Sequence, residues 1–300
     1  MAVPADRRLP MTGGHLYFAY GSNLDAVDWG TYCKGAGADP NGMRPLGPAW
    51  LPDYRLVFHF HSASRSGGAA DVIPSDRGEA VPGVLMELTD EALGVMDAKE
   101  GHPNVYEREV VHVSTMDGRT HPALTYRVTP TAQASKHTPP SSYYEGLVRN
   151  GLASCALPTR HLDAAVAGLG ASGHSIGEVF VYGTLLSGES RHGHLMEFNP
   201  VVQDAARASA DLLDLGSYPG LVPGAGSVRG ELYGFADVDA VLASLDQIEG
   251  YGAGEPSLYN RVVLQVESAG GTQWAWTYAY AREGGTPIPS GDWREHRSRG

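Results

Sequence analysis

Two glutamates, Glu100 and Glu249, each stand directly before a glycine at the end of a segment with helical periodicity. Upstream of each lies a strand-like segment that ends in a glycine turn, Tyr20-Gly21-Ser22-Asn23-Leu24 in one case and Tyr182-Gly183-Thr184-Leu185 in the other. A glycine in such a turn lets neighbouring backbone N–H groups converge on an anion such as a carboxylate, and Ser22 or Thr184 adds a hydroxyl. A carboxylate in the last turn of a helix faces the negative end of the helix dipole, which raises its pKa and suits it to accept a proton near neutrality. Anion binding beside proton transfer is therefore the chemistry these residues offer. Taken singly, a strand-glycine-serine turn is most often structural and a Glu-Gly pair is most often a solvated surface acid. It is their recurrence in register, each acid followed by a Tyr-x-Arg segment (Tyr106 to Arg108, Tyr259 to Arg261), that favours the functional reading.

The recurrence extends to the elements that must position these residues. Val81-Pro-Gly-Val-Leu followed by Met96-Asp-Ala-Lys-Glu-Gly101 is echoed by Val228-Arg-Gly-Glu-Leu followed by Leu245-Asp-Gln-Ile-Glu-Gly250, and Thr125-Tyr126 by Thr277-Tyr278. Each unit is longer than about 100 residues, which indicates two duplicated domains and not a solenoid. We place them at 14–170 and 177–283, joined by a short small-residue linker, with a mobile tail expected from Gly284. Residues 16–20, 54–60, 81–88, 106–114 and 122–128 read as strands, rich in Val, Tyr, Phe and Leu between glycine or proline boundaries. Thr89 caps a short helix that runs towards Glu100, and Asp237 to Leu245 repeats it. Ser141 to Asn150 and Leu157 to Leu169 read as two helices appended to the first unit alone. Residues 204–213 are alanine-rich, which favours helix, yet their place in the repeat favours strand, and strand is the expectation. The fold class is α+β.

Composition narrows the partners. The chain has 39 glycines, 20 prolines and a formal net charge of −12. Such a charge repels phosphate backbones and anionic lipid, so neither nucleic acid nor a membrane is expected. The first residues lack the apolar segment of a secretory signal and no apolar run approaches a membrane span, so a cytoplasmic location is expected. Cys33 and Cys155 are too few for a disulfide framework or a four-thiolate zinc site; Cys33 stands in a glycine-rich stretch without a paired histidine and Cys155 in an apolar context, so neither is expected to be a nucleophile. His59 and His61 share one strand face, and His192 and His194 lie close together, but no acid or thiol adjoins either pair in sequence, so no metal is expected. Asp97 and Asp246, three residues before the glutamates, read as helix caps. Nothing in the sequence fixes an oligomeric state.

Together these residues carry a resemblance. Tyr17-Phe-Ala-Tyr-Gly-Ser-Asn-Leu24, Gly67-Gly-Ala-Ala70, Val81-Pro-Gly-Val, Met96-Asp-Ala-Lys-Glu-Gly101 and Tyr106 resemble a gamma-glutamylcyclotransferase, as do Gly151 and Leu157-Pro158 in the appended helices. The second unit is similar to the smaller AIG2-like and gamma-glutamylamine cyclotransferases, through Val179-Phe-Val-Tyr-Gly-Thr-Leu185, Gly216-Ser-Tyr-Pro-Gly-Leu221, Gly230-Glu-Leu-Tyr233, Leu245-Asp-Gln-Ile-Glu-Gly250 and Tyr259-Asn-Arg261. The resemblance implies a small mixed β-barrel with flanking helices in each unit and a pocket between glycine turn and glutamate. It implies that a small-molecule gamma-glutamyl amine or amide cyclises to 5-oxoproline, releasing the amine, with no cofactor. Glu100 and Glu249 would be the general acid/bases, and burial should raise both. Tyr20, Gly21, Ser22, Asn23, Leu24, Tyr182, Gly183, Thr184 and Leu185 would hold the glutamyl group, and Tyr106 and Tyr259 would wall the pocket or donate a hydrogen bond. Ser62 to Gly68 lie where the family has a substrate-facing turn. The stretch Leu186-Ser-Gly-Glu-Ser-Arg191-His192 departs from the small relatives, which carry a basic residue and glycine and then Asn-His, and this bears on the second unit's substrate preference. The alternative is that one unit, the second before the first, is a non-catalytic binding or structural module.

Overall fold

The computed structural model describes residues 14–170, 175–252 and 257–299. Most of residues 14–175 form one compact unit and residues 176–299 the core of another. In the first unit the strands are β1 (His15–Ala19), β2 (Met43–Pro52), β3 (Tyr54–Ser62), β4 (Gly67–Pro74), β5 (Ala80–Leu88), β6 (Tyr106–Thr115) and β7 (Thr120–Val128). Its helices are α1 (Ala26–Ala36), α2 (Asp90–Glu100), α3 (Ser142–Ser154) and α4 (Arg160–Val166). Five strands close into a barrel in the order β1-β5-β2-β6-β7, and β3 and β4 form a separate hairpin. The mixed barrel with flanking helices is the architecture expected.

The second unit repeats the plan with β8 (Glu178–Val181), α5 (His192–Met196), β9 (Val202–Ala208), β10 (Asp211–Asp214), β11 (Pro219–Val222), β12 (Val228–Gly234), α6 (Val238–Glu249), β13 (Tyr259–Ser268), β14 (Gly271–Tyr280), β15 (Thr286–Pro287) and α7 (Trp293–Ser298). The order β13-β9-β12-β8-β14, with β13 pairing back onto β14, is the same ring strand for strand, and β10 and β11 take the place of the β3–β4 hairpin. Each ring holds one parallel pair, Tyr17 opposite Leu124 and Trp276 opposite Val179. Large aromatic side chains are buried in both units, Phe18, Trp50 and Tyr126 in one and Phe180, Tyr233 and Trp276 in the other, each under 3% exposed. Burying a side chain of this size contributes about 2 kcal/mol or more.

Two glycine pairs explain why the repeat keeps this residue where it does. A Cβ on Gly83 would lie 2.3 Å from the Ala19 carbonyl oxygen and 2.6 Å from the Phe18 ring, and one on Gly230 would lie 2.2 Å from the Val181 carbonyl oxygen and 2.6 Å from the Phe180 ring. Only glycine lets the neighbouring strand and its aromatic ring approach this closely. Gly101 and Gly250 have φ of 66° and 63°, the left-handed conformation that ends a helix, and their N–H groups return to the carbonyls of Asp97 and Asp246. Each catalytic-candidate glutamate is thereby the last residue of its helix.

Several elements differ from the sequence reading. Strand β2 contains Pro45, Gly47 and Pro48, which read as turn residues, but a shift of register between Pro45 and Gly47 absorbs them. Helix α1 was not anticipated because Gly30 and Gly35 dilute its pattern; Asp25 caps it through the N–H groups of Val27 and Asp28. In the alanine-rich 204–213 stretch the strand expectation holds, with β9 paired to β12 from Ala208 opposite Val228 onwards. The tail is not a mobile end: β15 pairs with β10, Asp292 caps α7, and Trp293 is buried. Residues 171–174 of the expected linker lie outside the described residues. Among the described residues no helix is long and apolar enough to cross a membrane.

Candidate active site

In the first unit Tyr20, Gly21, Ser22, Asn23, Glu100 and Tyr106, distant in sequence, line one cavity of about 440 Å³. Leu24 lies outside that lining. It is buried against α3, so closely that a Cβ on Gly151 would meet its own Cβ at 2.3 Å. In the second unit Tyr182, Gly183, Thr184, Leu185, Glu249 and Tyr259 line a cavity of about 260 Å³.

The contact between turn and acid is direct in the first unit. The side-chain amide of Asn23 donates to Glu100 Oε1 at 2.8 Å and to the Tyr17 hydroxyl at 2.9 Å, while its carbonyl oxygen accepts from the Lys99 ammonium. Lys99 also approaches Asp28 at 3.3 Å, and Arg65 grips the same carboxylate through two 2.7 Å bonds while reaching Ser22 Oγ at 3.3 Å. Burial raises the Asp28 carboxyl, but the Arg65 hydrogen bonds and the Lys99 charge outweigh it, and the group is held below the usual carboxylate range. Asp28, Arg65 and Lys99 were not among the expected site residues. Arg65 falls within the Ser62 to Gly68 stretch, which was the available signal, and Lys99 adjoins Glu100; Asp28 sits on the unanticipated helix.

In the second unit burial pushes the Glu249 carboxyl up to about 7, against the opposing charge of Arg191. The raising cause is desolvation, and a carboxyl in this range can exchange a proton near neutrality. Arg191 lines this cavity and was not anticipated as a site residue.

The tyrosines are committed to the backbone. Tyr20 donates to the Tyr126 carbonyl and Tyr182 to the Tyr278 carbonyl at 2.6 Å. Tyr106 donates to the Ala70 carbonyl at 2.9 Å and Tyr259 to the Pro219 carbonyl at 2.7 Å. Of the two roles open to Tyr106 and Tyr259, this supports the wall, because a phenol has one proton to donate. Burial raises all four phenols, which keeps them protonated and the bonds in place.

Asp97 and Asp246 correct the cap reading. Tyr126 donates to Asp97 at 2.7 Å and Tyr278 to Asp246 at 2.7 Å, while Arg108 and Arg261 pair with the same carboxylates at 3.1 and 3.2 Å. The Tyr-x-Arg segment and the Thr-Tyr pair thus meet the helix one turn before each glutamate and fix its end against the barrel. His59 Nε2 lies 2.6 Å from the fully buried Asp71, twelve residues away in sequence, so the partner of this histidine is a carboxylate on the neighbouring strand. Among the described residues no group of three or more His, Cys, Asp or Glu side chains is placed to hold a metal ion.

Comparison with known proteins agrees with this duplication. The family model for gamma-glutamyl cyclotransferase, AIG2-like, matches residues 17–146 and again 179–295. The gamma-L-glutamyl-butirosin B gamma-glutamyl cyclotransferase of Niallia circulans is 36% identical over 122 residues, 40% of this chain and 76% of that protein. The gamma-glutamylcyclotransferase family protein YtfP of Escherichia coli is 38% identical over 117 residues, 38% of this chain and 94% of that protein. A solved gamma-glutamyl cyclotransferase structure is 26% identical with a TM-score of 0.44, covering 51% of this chain and 87% of its own.

Proposed function

The chain belongs to the gamma-glutamyl cyclotransferase, AIG2-like family in both its units, and from that premise we propose that this gamma-glutamyl cyclotransferase forms 5-oxoproline with Glu100 and Glu249 as its general acid/bases. The observation that carries the reading is that each glutamate ends its helix at a cavity shared with its own glycine turn.

The reaction is intramolecular. The substrate's α-amine attacks its own γ-carbonyl carbon, a new C–N bond closes the five-membered ring, and the original amide C–N bond breaks. The glutamate takes a proton from the α-ammonium, freeing its lone pair, and returns one to the departing nitrogen; the ring nitrogen gives up its second proton to the regenerated carboxylate, so that 5-oxoproline and a free amine leave. The protein's main task is to hold the folded conformer, and such positioning can supply about 7–11 kcal/mol of the roughly 8–23 kcal/mol that enzymes provide. The turn N–H groups of Gly21 to Asn23 and of Gly183 to Leu185 would hold the glutamyl part, with the tyrosine walls excluding water. Asn23, bonded to Glu100, sets the direction of that carboxylate.

The relative from Niallia circulans, named for gamma-L-glutamyl-butirosin B, supports a gamma-glutamylated small molecule as the substrate class, the released amine being the unprotected compound. The larger of the two cavities suits a bulky leaving group better. The second reading, a non-catalytic second unit, turns on whether Glu249 faces a cavity or solvent; it lines a cavity and titrates near neutrality, which favours chemistry in both units.

The test is to incubate the protein with gamma-glutamyl amino acids and amines and to follow 5-oxoproline by mass spectrometry, for wild type, Glu100→Gln and Glu249→Gln. Each substitution should remove one share of the product. Should the doubly substituted chain retain full turnover, the roles given to these acids are wrong.

A further inference from the structure

We propose that Arg191 binds the α-carboxylate of the gamma-glutamyl group in the second unit, making that site selective for ligands that carry it. The inference rests on the reading of this cavity as a gamma-glutamyl site.

Three observations place a cation there by construction. The backbone N–H of Arg191 donates to the Thr184 carbonyl at 2.8 Å, and His192 Nδ1 lies 3.2 Å from the Leu185 carbonyl, so this segment is tied to the glycine turn from the side of α5. Arg191 lines the cavity, and its charge reaches Glu249 on the same cavity. Among the described residues no carboxylate lies within ion-pair distance of Arg191, whereas both cations beside the first unit's turn are taken up by Asp28. A half-buried guanidinium beside a hydroxyl turn, with no ion-pair partner among the described residues and only the longer-range charge of Glu249 near it, is set to bind an anion from outside.

The substrate supplies that anion in one arrangement. An α-ammonium and an α-carboxylate sit on the same carbon, so a headgroup with its ammonium at Glu249 has its carboxylate within reach of the opposite side of a cavity this small. Arg191 and the turn N–H groups then bind the carboxylate together, one with charge and the other with dipoles. This explains why Arg191 occupies the stretch where the sequence departs from the small relatives: it adds at the turn a charge that the backbone cannot.

The experiment uses the full chain carrying Glu100→Gln, which removes the first unit's base, and two substrates that differ only in the α-carboxylate. These are a gamma-glutamyl amide, which gives 5-oxoproline, and its 4-aminobutanoyl counterpart, which gives 2-pyrrolidinone. The glutamyl substrate should be preferred in kcat/KM, and Arg191→Gln should reduce that preference about 10- to 100-fold by raising KM for the glutamyl compound alone. Arg191→Lys should recover part of it. Equal slowing of both substrates, or no change in either, would overturn the proposal. If the Glu100→Gln chain turns over neither substrate, catalysis by the second unit fails as a reading, and calorimetric titration with 5-oxoproline against 2-pyrrolidinone decides the binding role. An Arg191-dependent share of 5-oxoproline binding sustains it, and the absence of such a share overturns it.

Discussion

Asn23 donates its side-chain amide to Glu100 at 2.8 Å, so a residue of the glycine turn and the acid at the end of α2, 77 positions apart, act as one hydrogen-bonded unit. Replacing the amide should misdirect the carboxylate without removing it. Asn23→Ala is expected to lower kcat of the first unit about 10-fold, the equivalent of about 1–2 kcal/mol for a hydrogen bond to a charged group, with a smaller change in KM. Steady-state kinetics in a Glu249→Gln background checks this.

The general acid/base role predicts larger losses. Glu100→Gln and Glu249→Gln keep the shape of each acid and remove its proton transfer, and each should lower turnover at its own site about 100-fold or more. Circular dichroism should show an unchanged fold.

The raised carboxyl of Glu249 predicts a pH dependence of stability and, under the proposed role, of turnover. Its folded value of about 7 lies above the ordinary 4.5, so the folded chain binds this proton more tightly than the unfolded one and loses stability as pH rises from about 4.5 to 7. Above pH 7 the full penalty remains, on the order of 2 kcal/mol after allowance for partial exposure. Glu249→Gln should therefore be the more stable chain at pH 8 and match wild type near pH 4, measured by denaturant unfolding. In a Glu100→Gln background kcat/KM should rise with pH through an apparent pKa near 7, since the base form is the active one.

Asp246 fixes the end of α6 by accepting from Tyr278 and pairing with Arg261, which is 1% exposed. Asp246→Ala takes the acid away from a buried cation and should destabilise the chain by about 3 kcal/mol, whereas Tyr278→Phe should cost about 1 kcal/mol. Thermal unfolding of the two variants distinguishes the losses.

Gly83→Ala and Gly230→Ala each drive a methyl group to within 2.3 Å of a carbonyl oxygen on the neighbouring strand. Both should destabilise by about 3 kcal/mol or more, through displacement of β1 or β8. Denaturant midpoints of the soluble fraction measure it.

The repeat makes much of this legible in the sequence. Strong alternation and breaker residues marked β1, β3, β5, β6 and β7, and Thr89 and Asp237 marked the helices that carry the glutamates. Strand β2 was missed because two prolines and a glycine mimic a turn, and α7 because its few turns are held by a buried Trp293, which no local pattern reveals. The aspartates before each glutamate were misassigned for the same reason: their tyrosine and arginine partners come from β6, β7, β13 and β14, at separations that local sequence does not encode.

By itself the sequence determined the duplication, the α+β class, the two glycine turns and the glutamate that ends each helix. These depend on local rules, namely periodicity, capping and the left-handed glycine after each acid. Tertiary structure alone decided which charges meet. It set Asn23 on Glu100, spent Arg65 and Lys99 on Asp28, and left Arg191 facing the second cavity with Glu249. The reason is physical: a hydrogen bond or an ion pair acts over about 3 Å in space, and barrel closure brings together side chains whose distance along the chain carries no trace of that contact.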